Sequence, residues 1–187
     1  MLVLVGGPTG IGKTTLIAAL AADGGCRVVH TVTTRPARPG DRFKTSLTED
    51  EYHSRRNSLL WPAQRLYGAF YGEDYAEAMT AACPLNDTPW LIDAAPETLV
   101  IFDHVPHRRL ILLPAERDFL PRALAAANRL ERLEKARLEV AEWRRTVAAV
   151  GAPAAVGGTV EVPCRWGRQA EIAAFSRRAL EAWRSPR

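Results

Sequence analysis

The sequence predicts an α/β fold built on an open parallel sheet of about five strands with helices on both faces. Short runs of consecutive apolar residues, "LVLV" (2–5), "PWLIDA" (89–94) and "RRLILLPA" (108–115), are typical of strands that are covered on both sides. Helical patterns separate these runs along the chain. A glycine-rich segment also lies directly between the first strand and the first helix. Strand–helix alternation of this kind indicates a central parallel sheet.

The other elements follow from the same patterns in chain order. A helical stripe of apolar residues begins after Lys13, and Gly24 and Gly25 predict its end. The segment 43–88 is less regular and contains two short helical stretches, "TEDEYHSRRN" and "EDYAEAMTAA", of which the first is capped. The remaining predicted elements are a strand at 26–32, helices between about 116 and 150, a strand at 159–163 and a closing helix from about 168 to 184.

Composition and charge restrict the class of protein. A chain of 187 residues that is 47% hydrophobic is expected to form a single compact domain, 1–187. Its net charge of +4 comes from arginines scattered among acids, which favours small anionic partners over nucleic acid. Cys26, Cys83 and Cys164 lack disulfide or zinc spacing, and no apolar run approaches the ~20 residues that span a bilayer. We therefore expect a cytoplasmic protein without a membrane partner.

The stretch "GGPTGIGKTT" (6–15) satisfies the pattern G-x-x-x-x-G-K-[ST] through Gly7, Gly12, Lys13 and Thr14. Its place between a strand and a helix is the context of a phosphate-binding P-loop, although a glycine-rich turn without a ligand remains the alternative. Glycines let backbone N–H groups surround a phosphate, lysine adds a compact mobile charge, and the threonine hydroxyl binds Mg²⁺. This motif predicts a P-loop NTPase-type fold that binds ATP. The predicted phosphate-binding residues are Gly7, Pro8, Thr9, Gly10, Ile11, Gly12, Lys13, Thr14 and Thr15.

A carboxylate and two arginines follow neighbouring predicted strands. Asp93 ends the strand "WLID", at the edge of the sheet where ligands of open α/β folds collect, so it is a candidate to position Mg²⁺ or an acceptor group. The alternative is an aspartate that caps a following helix. Arg35 and Arg38 lie in "TVTTRPARPGDR" (31–42), where prolines stiffen the loop and favour bidentate capture of a second phosphate. A solvated basic loop is the alternative there.

These motifs resemble those of the guanylate kinases, a family of nucleoside monophosphate kinases. "TTRPARPGD" is similar to the family's T-T-R-x-P-R-P-G-E segment, "TEDEY" to its short helix, and "YGAFYGED" to its G-N-Y-Y-G-T segment. The resemblance extends from residue 3 to about residue 95 and continues beyond that only as architecture. It implies a core at 1–42 and 89–187, an acceptor-binding insertion at about 43–88 and a mobile helical lid at about 116–145.

The resemblance also implies a reaction, the ATP-dependent transfer of the γ-phosphate to a nucleoside monophosphate-like acceptor. Arg35, Arg38 and Tyr71 would bind the acceptor phosphate, Asp93 would lie near the acceptor and the metal, and Thr14 and Asp93 would hold Mg²⁺. Transfer needs positioning and charge neutralisation rather than a side-chain nucleophile. The predicted catalytic residues are Lys13 and the lid-region arginines Arg122, Arg129 and Arg137; a solvated helix face is the alternative for each arginine.

Departures from the family pattern concern the acceptor. The segment "RFKTSL" has no tyrosine where the family carries G-x-x-Y-x-F, Pro62 occupies the place of the glutamate that reads guanine, and Glu73 replaces a small hydroxyl residue after Gly72. Guanine preference is therefore not predicted. Ribose 1,5-bisphosphate phosphokinases, which take a sugar phosphate, are one alternative. Guanylate-kinase-like modules that bind phosphopeptides are another, but those characteristically have degraded P-loops.

Overall fold

A computed structural model describes residues 1–60, 64–66, 68–83, 87–96, 99, 102, 105–148 and 156–184. The predicted guanine-reading position, Pro62, lies outside the described residues. The strands are β1 (Leu2–Gly6), β2 (Arg27–Val28), β3 (Thr31–Thr33), β4 (Lys44–Ser46), β5 (Gln64–Leu66), β6 (Ala69–Glu73), β7 (Trp90–Asp93), β8 (His107–Pro114) and β9 (Val156–Cys164). The helices are α1 (Lys13–Ala21), α2 (Glu49–Ser54), α3 (Tyr75–Ala82), α4 (Phe119–Ala126), α5 (Leu133–Ala148) and α6 (Gln169–Arg184).

The main sheet has five parallel strands in the order β2-β7-β1-β8-β9, which confirms the predicted α/β architecture. β1 lies at the centre, and all five of its residues are buried, as its continuous apolar sequence predicts. In the pairing of β1 with β7, Val5 lies opposite Asp93. Asp93 therefore lies at the same edge of the sheet as the segment that follows β1.

Two apolar cores cover the faces of this sheet because successive residues of β1 point to opposite sides. Val3 and Val5 pack with the buried stripe of α1, whereas Leu2 and Leu4 pack with Trp143 of α5. Burial of apolar side chains on both faces fixes the position of the carboxyl end of β1, where the glycine-rich segment begins.

The strand predicted at 26–32 is divided between two sheets, so that prediction of a single strand is wrong. Val29 still donates its N–H to Leu91 of the main sheet. His30 then donates its N–H to the Glu77 carboxylate and accepts a hydrogen bond from the Asp74 N–H, and β3 starts at the next residue. Apolar periodicity alone could not reveal the crossing because valines continue on both sides of it.

The second sheet has the order β4-β3-β6-β5 and begins with β3, earlier than the insertion predicted at 43–88. Its strands place Lys44, Thr31 and Glu73 side by side in one row, since Thr31 lies opposite both of the others. On the other face, Val32 forms a small apolar core with Tyr52 and Leu59. The sheet thus has a polar face and an apolar face, as a half-covered sheet should.

The helical region predicted at 116–150 consists of α4, a 3₁₀ turn at Leu130–Arg132 and α5. Leu124 of α4 and Trp143 of α5 are completely buried, which fixes both helices against the main sheet. Across the part of the chain that the structure describes, no helix is both long and apolar enough to cross a membrane.

Candidate active site

A cleft of about 760 Å³ lies between the glycine-rich segment, the arginine-rich loop after β3 and the turn that precedes α5. It brings together most of the side chains that the sequence singles out. Gly7 and Ile11 are buried within the glycine-rich segment and do not line the cleft. The predicted site residues that do line it are Pro8, Thr9, Gly10, Gly12, Lys13, Thr14, Thr15, Arg35, Arg38, Tyr71, Asp93 and Arg129.

The glycine-rich segment has the backbone shape of a phosphate cradle. Gly10 and Gly12 have φ angles of 83° and 98°, which favour glycine, and the Ile11 N–H closes a turn on the Pro8 carbonyl oxygen. α1 begins at Lys13, without a side-chain cap and without an acidic residue in its first turn. The amino-terminal N–H groups and the dipole of α1 therefore favour an anion at the cleft.

Lys13 folds back over this segment. Its Nζ donates to the Gly7 carbonyl oxygen at 2.7 Å and lies 3.4 Å from the Pro8 carbonyl oxygen. The four-carbon stem lets the ammonium exchange these carbonyl oxygens for phosphate oxygens, because lysine carries its charge on a flexible chain.

Arg35 and Arg38 are organised by Asp41, which the sequence analysis did not single out. Asp41 Oδ2 accepts hydrogen bonds from Arg35 Nη2 at 2.7 Å and from the Arg38 backbone N–H at 2.9 Å. Burial would raise the pKa of Asp41, but these hydrogen bonds and the Arg35 charge outweigh it and hold the pKa below its ordinary value. The loop is thus ordered before any anion binds.

Four guanidinium groups gather around one end of the cleft. Burial, together with the positive charges of Arg35, Arg129 and Arg132, lowers the pKa of Arg38. Among the described residues, no hydrogen-bond acceptor contacts the Arg38 guanidinium, so its donors can bind an anion from the cleft. Arg132 lines the cleft as well, and the sequence analysis missed it because it sits in a 3₁₀ turn rather than on a regular helical face.

Arg122 and Arg137 lie elsewhere. Arg122 pairs with Asp118, the residue before α4, and Arg137 pairs with Glu134 of α5; more than half of each arginine side chain is exposed. Neither lines the cleft. Their positions are those of a solvated helix face, the alternative that the sequence left open for them.

Asp93 pairs with Lys44, another residue that sequence reasoning missed. Lys44 Nζ donates to Asp93 Oδ2 at 2.9 Å, and less than a fifth of either side chain is exposed. Burial would raise the pKa of Asp93, but the charges of Lys44 and Lys13 outweigh it, so the pKa is lowered. Lys44 stands in "RFKTSL", the segment that lacks the family's tyrosine. That missing tyrosine was the sequence signal that the acceptor side of this chain differs from the family pattern.

The hydroxyl of Thr14 and the carboxylate of Asp93 have the donor chemistry that Mg²⁺ prefers. Both face the small pocket beside Lys44, and a hydroxyl with one carboxylate is a common protein contribution to Mg²⁺, which usually keeps several waters. Asp93 lines the same cleft as Lys13 and Thr14, so its carboxylate lies beside the phosphate cradle.

Glu73 is buried on the polar face of the second sheet, near Lys44 and Asp93. Burial is the largest cause that raises its pKa to about 7, and the negative charge of Asp93 adds to it, while the Glu73 backbone N–H and Lys44 act in the opposite direction. Near neutral pH this carboxyl group therefore exists in both protonation states.

This shift makes a prediction about stability. Because the pKa of Glu73 is about 7 in the folded chain against an ordinary 4.5, the folded state keeps a proton that the unfolded state releases between these values. The stability contributed by Glu73 is present below pH 4.5 and is lost as pH rises to about 7, by at most about 3 kcal/mol. Glu73→Gln is expected to remove this loss, so urea unfolding should show the variant gaining stability over the wild type between pH 5 and pH 8. If the difference in unfolding free energy between Glu73→Gln and the wild type stays constant over that pH range, the prediction is wrong.

A second pocket of about 210 Å³ adjoins the other side of the phosphate cradle and shares Gly10, Gly12 and Thr15 with the cleft. Its far wall includes Phe119 and Trp166, whose rings meet edge to face with centroids 6.0 Å apart. Trp166 is 39% exposed, unlike the fully buried Trp143. An exposed aromatic ring beside a phosphate cradle is suited to a heterocyclic base.

Comparison with known proteins supports the fold. No family model and no curated protein matches the chain. Among solved structures, the chain is similar to the crystal structure of guanylate kinase from Anaplasma phagocytophilum, with a TM-score of 0.64 and 16% sequence identity over 100% of this chain and 86% of that chain. The chain therefore has a P-loop NTPase-like α/β fold. Within that class, its fold is guanylate kinase-like.

Proposed function

We propose that this protein is an ATP-dependent phosphotransferase that transfers the γ-phosphate to a phosphorylated acceptor of the nucleoside monophosphate type. The observation that carries the proposal is that one cleft is lined on one side by Lys13 and the phosphate cradle and on the other by Arg35 and Arg38. Two separate anion sites that face one cleft suit a reaction between two phosphates.

On the donor side, the α1 N-terminus and Lys13 hold the β- and γ-phosphates, and the base enters the pocket beside Trp166. Thr14 and Asp93 would hold Mg²⁺, which neutralises phosphate charge when it is bound. Asp93 already has Lys44 as a cationic partner, so its charge stays compensated whether or not the metal is present.

On the acceptor side, Arg38 and Lys44 supply cations and Tyr71 supplies a hydroxyl, while Arg35 is held in place by Asp41. An oxygen of the acceptor phosphate attacks the γ-phosphorus, and the bond to the β-phosphate oxygen breaks. Arg129 and Arg132 approach the same end of the cleft and neutralise charge that develops on the transferred group. The chain supplies positioning and charge rather than a covalent nucleophile.

The acceptor is expected to differ from GMP as a preferred substrate. Lys44 and Glu73 occupy the polar face of the second sheet where the resemblance leads one to expect a tyrosine and a small hydroxyl residue. Lys44 lines the cleft, so a lysine in this segment changes both the charge and the hydrogen bonds that are offered to an acceptor, while Glu73 is buried beside it. Another nucleoside monophosphate or a sugar phosphate such as ribose 1,5-bisphosphate is therefore the expected substrate class.

The test is an acceptor panel. Purified protein, ATP and Mg²⁺ are incubated with ribo- and deoxynucleoside monophosphates and with ribose 1,5-bisphosphate, and the acceptors are ranked by kcat/KM. We expect phosphate transfer with no exclusive preference for GMP. A preference for GMP of 100-fold or more, about 2.7 kcal/mol, would contradict the acceptor assignment. ATP binding without transfer to any acceptor would contradict the phosphotransferase, and a lack of ATP binding would favour an interaction module.

A further inference from the structure

A buried carboxylate contacts the phosphate cradle from a distant part of the chain. Thr9 donates its backbone N–H to Glu139 Oε2 at 2.6 Å, and the Thr9 hydroxyl lies 3.4 Å from Glu139 Oε1. Glu139 lies in α5 and is only 8% exposed. The sequence assigns Thr9 to phosphate binding, but its N–H donates to Glu139.

The same helix contacts the chain just before the cradle a second time. Trp143 lies one turn after Glu139 on the same face of α5, as residues four apart do. A Cβ atom added to Gly6 would clash with the Trp143 ring, so the ring packs directly on the backbone of β1. Glu139 and Trp143 thus fix α5 to the P-loop and to the strand that leads into it.

The N-terminal end of α5 directly follows the segment that carries two arginines of the cleft. Leu133, its first residue, directly follows the 3₁₀ turn that contains Arg132, and Arg129 immediately precedes that turn. Both arginines line the cleft that Thr9 also lines. A displacement of α5 relative to the P-loop would therefore move these two guanidinium groups relative to the donor phosphates.

We propose that Glu139 is a positioning residue that couples the conformation of the P-loop to the placement of Arg129 and Arg132. This inference rests on the proposed phosphotransferase function. A buried polar group is costly unless it is hydrogen-bonded, and the Glu139 side chain reaches the Thr9 N–H from α5, so the contact holds both partners in place. Glu139 itself contacts no substrate in this role and acts through Thr9 and through the helix.

Two conservative variants separate the effect of the length of the Glu139 side chain from the effect of its charge. Glu139→Gln keeps an oxygen at the same distance from the Thr9 N–H, whereas Glu139→Asp keeps the charge but withdraws the carboxylate by one methylene. Since a misplacement of about 1 Å can cost up to about 100-fold in rate, we expect Glu139→Asp to lower kcat by about 10-fold or more and Glu139→Gln to stay within about threefold of the wild type. The matched control is Leu138→Ala, at a neighbouring position of α5 whose side chain is 73% exposed.

A double-mutant cycle tests the coupling to the arginines. If Glu139 acts by placing Arg132, then Arg132→Ala should reduce kcat less in the Glu139→Asp background than in the wild type. Additive effects, or a Glu139→Asp variant that behaves like Leu138→Ala, would overturn the proposal. Retained activity in Glu139→Asp together with loss in Glu139→Gln would overturn it too, because the charge rather than the position would then matter.

A readout without substrate separates this inference from the proposed function. Amide hydrogen exchange at Thr9 should be slow in the wild type and in Glu139→Gln and at least about 10-fold faster in Glu139→Asp, because exchange follows local opening of the hydrogen bond. Equal exchange rates in all three proteins would overturn the role of Glu139 even if the protein is a kinase. Failure of the wild type to bind ATP by calorimetry would overturn the proposed function without affecting the exchange result.

Discussion

Lys13→Ala is expected to lower kcat by about 100-fold or more while the chain remains folded. The ammonium lies over the phosphate cradle, 2.7 Å from the Gly7 carbonyl oxygen, and its flexible stem can follow the transferred phosphate. An interaction that strengthens as charge develops in the transition state acts on kcat more than on binding. Steady-state kinetics with ATP and the best acceptor of the panel give the effect, and thermal unfolding establishes that the variant is folded.

The matched control for this change is another of the three lysines in the chain. Lys135 is exposed on α5 and does not line the cleft, so Lys135→Ala should leave kcat within about twofold of the wild type. A folded Lys13→Ala protein with near-normal phosphate transfer would contradict the phosphotransferase mechanism. The other lysine that lines the cleft, Lys44, pairs with Asp93 and does not belong to the phosphate cradle.

Arg38→Ala is expected to raise the KM of the acceptor about 10- to 100-fold and to change the KM of ATP much less. Hydrogen bonds to charged groups contribute about 1.5 to 3 kcal/mol, and the loss of one such contact to the acceptor phosphate corresponds to this range. The Arg38 guanidinium faces the cleft among three other arginines, so an anion is its expected partner. Varying one substrate at saturating concentrations of the other separates the two KM values.

Arg35→Ala should raise the KM of the acceptor by a similar factor, and it should also lower the stability of the folded chain. Arg35 pairs with Asp41, and the same carboxylate orients the backbone of Arg38, so its removal disturbs the whole loop. Arg56→Ala, an exposed arginine outside the cleft, is the control. A collapse of ATP affinity with untouched acceptor binding in the Arg38 variant would show that the two phosphate sites are assigned in the wrong order.

The main sheet could be predicted from sequence because its strands are buried on both faces and therefore read as unbroken apolar runs. Residues 2–5 lie within β1, and the predicted run 108–115 lies within β8 except for its last residue. The crossing at His30 could not be predicted in this way. The valines before and after His30 give one continuous apolar pattern. The chain nevertheless enters a second sheet, because His30 donates its N–H to Glu77 of α3 and accepts a hydrogen bond from the Asp74 N–H.

The candidate site was predictable where a local sequence motif determines the backbone conformation, as the glycines around Lys13 do. It was not predictable where partners are distant in sequence. Glu139 lies 130 residues from Thr9, and Lys44 lies 49 residues from Asp93, and neither follows a local pattern. The arginines show the same limit, because Arg132 and Arg137 are close in sequence but only Arg132 lines the cleft.

The close packing of Gly6 and Trp143 has a consequence for how this sequence can change over evolutionary time. The position of a Cβ atom on Gly6 is already occupied by the indole ring, with Ile111 as a further neighbour at 2.9 Å. Even alanine at position 6 therefore requires a smaller residue at position 143, and the two substitutions are harmful when they occur singly. Related sequences are expected to show covariation between these sites, although they are separated by most of the chain.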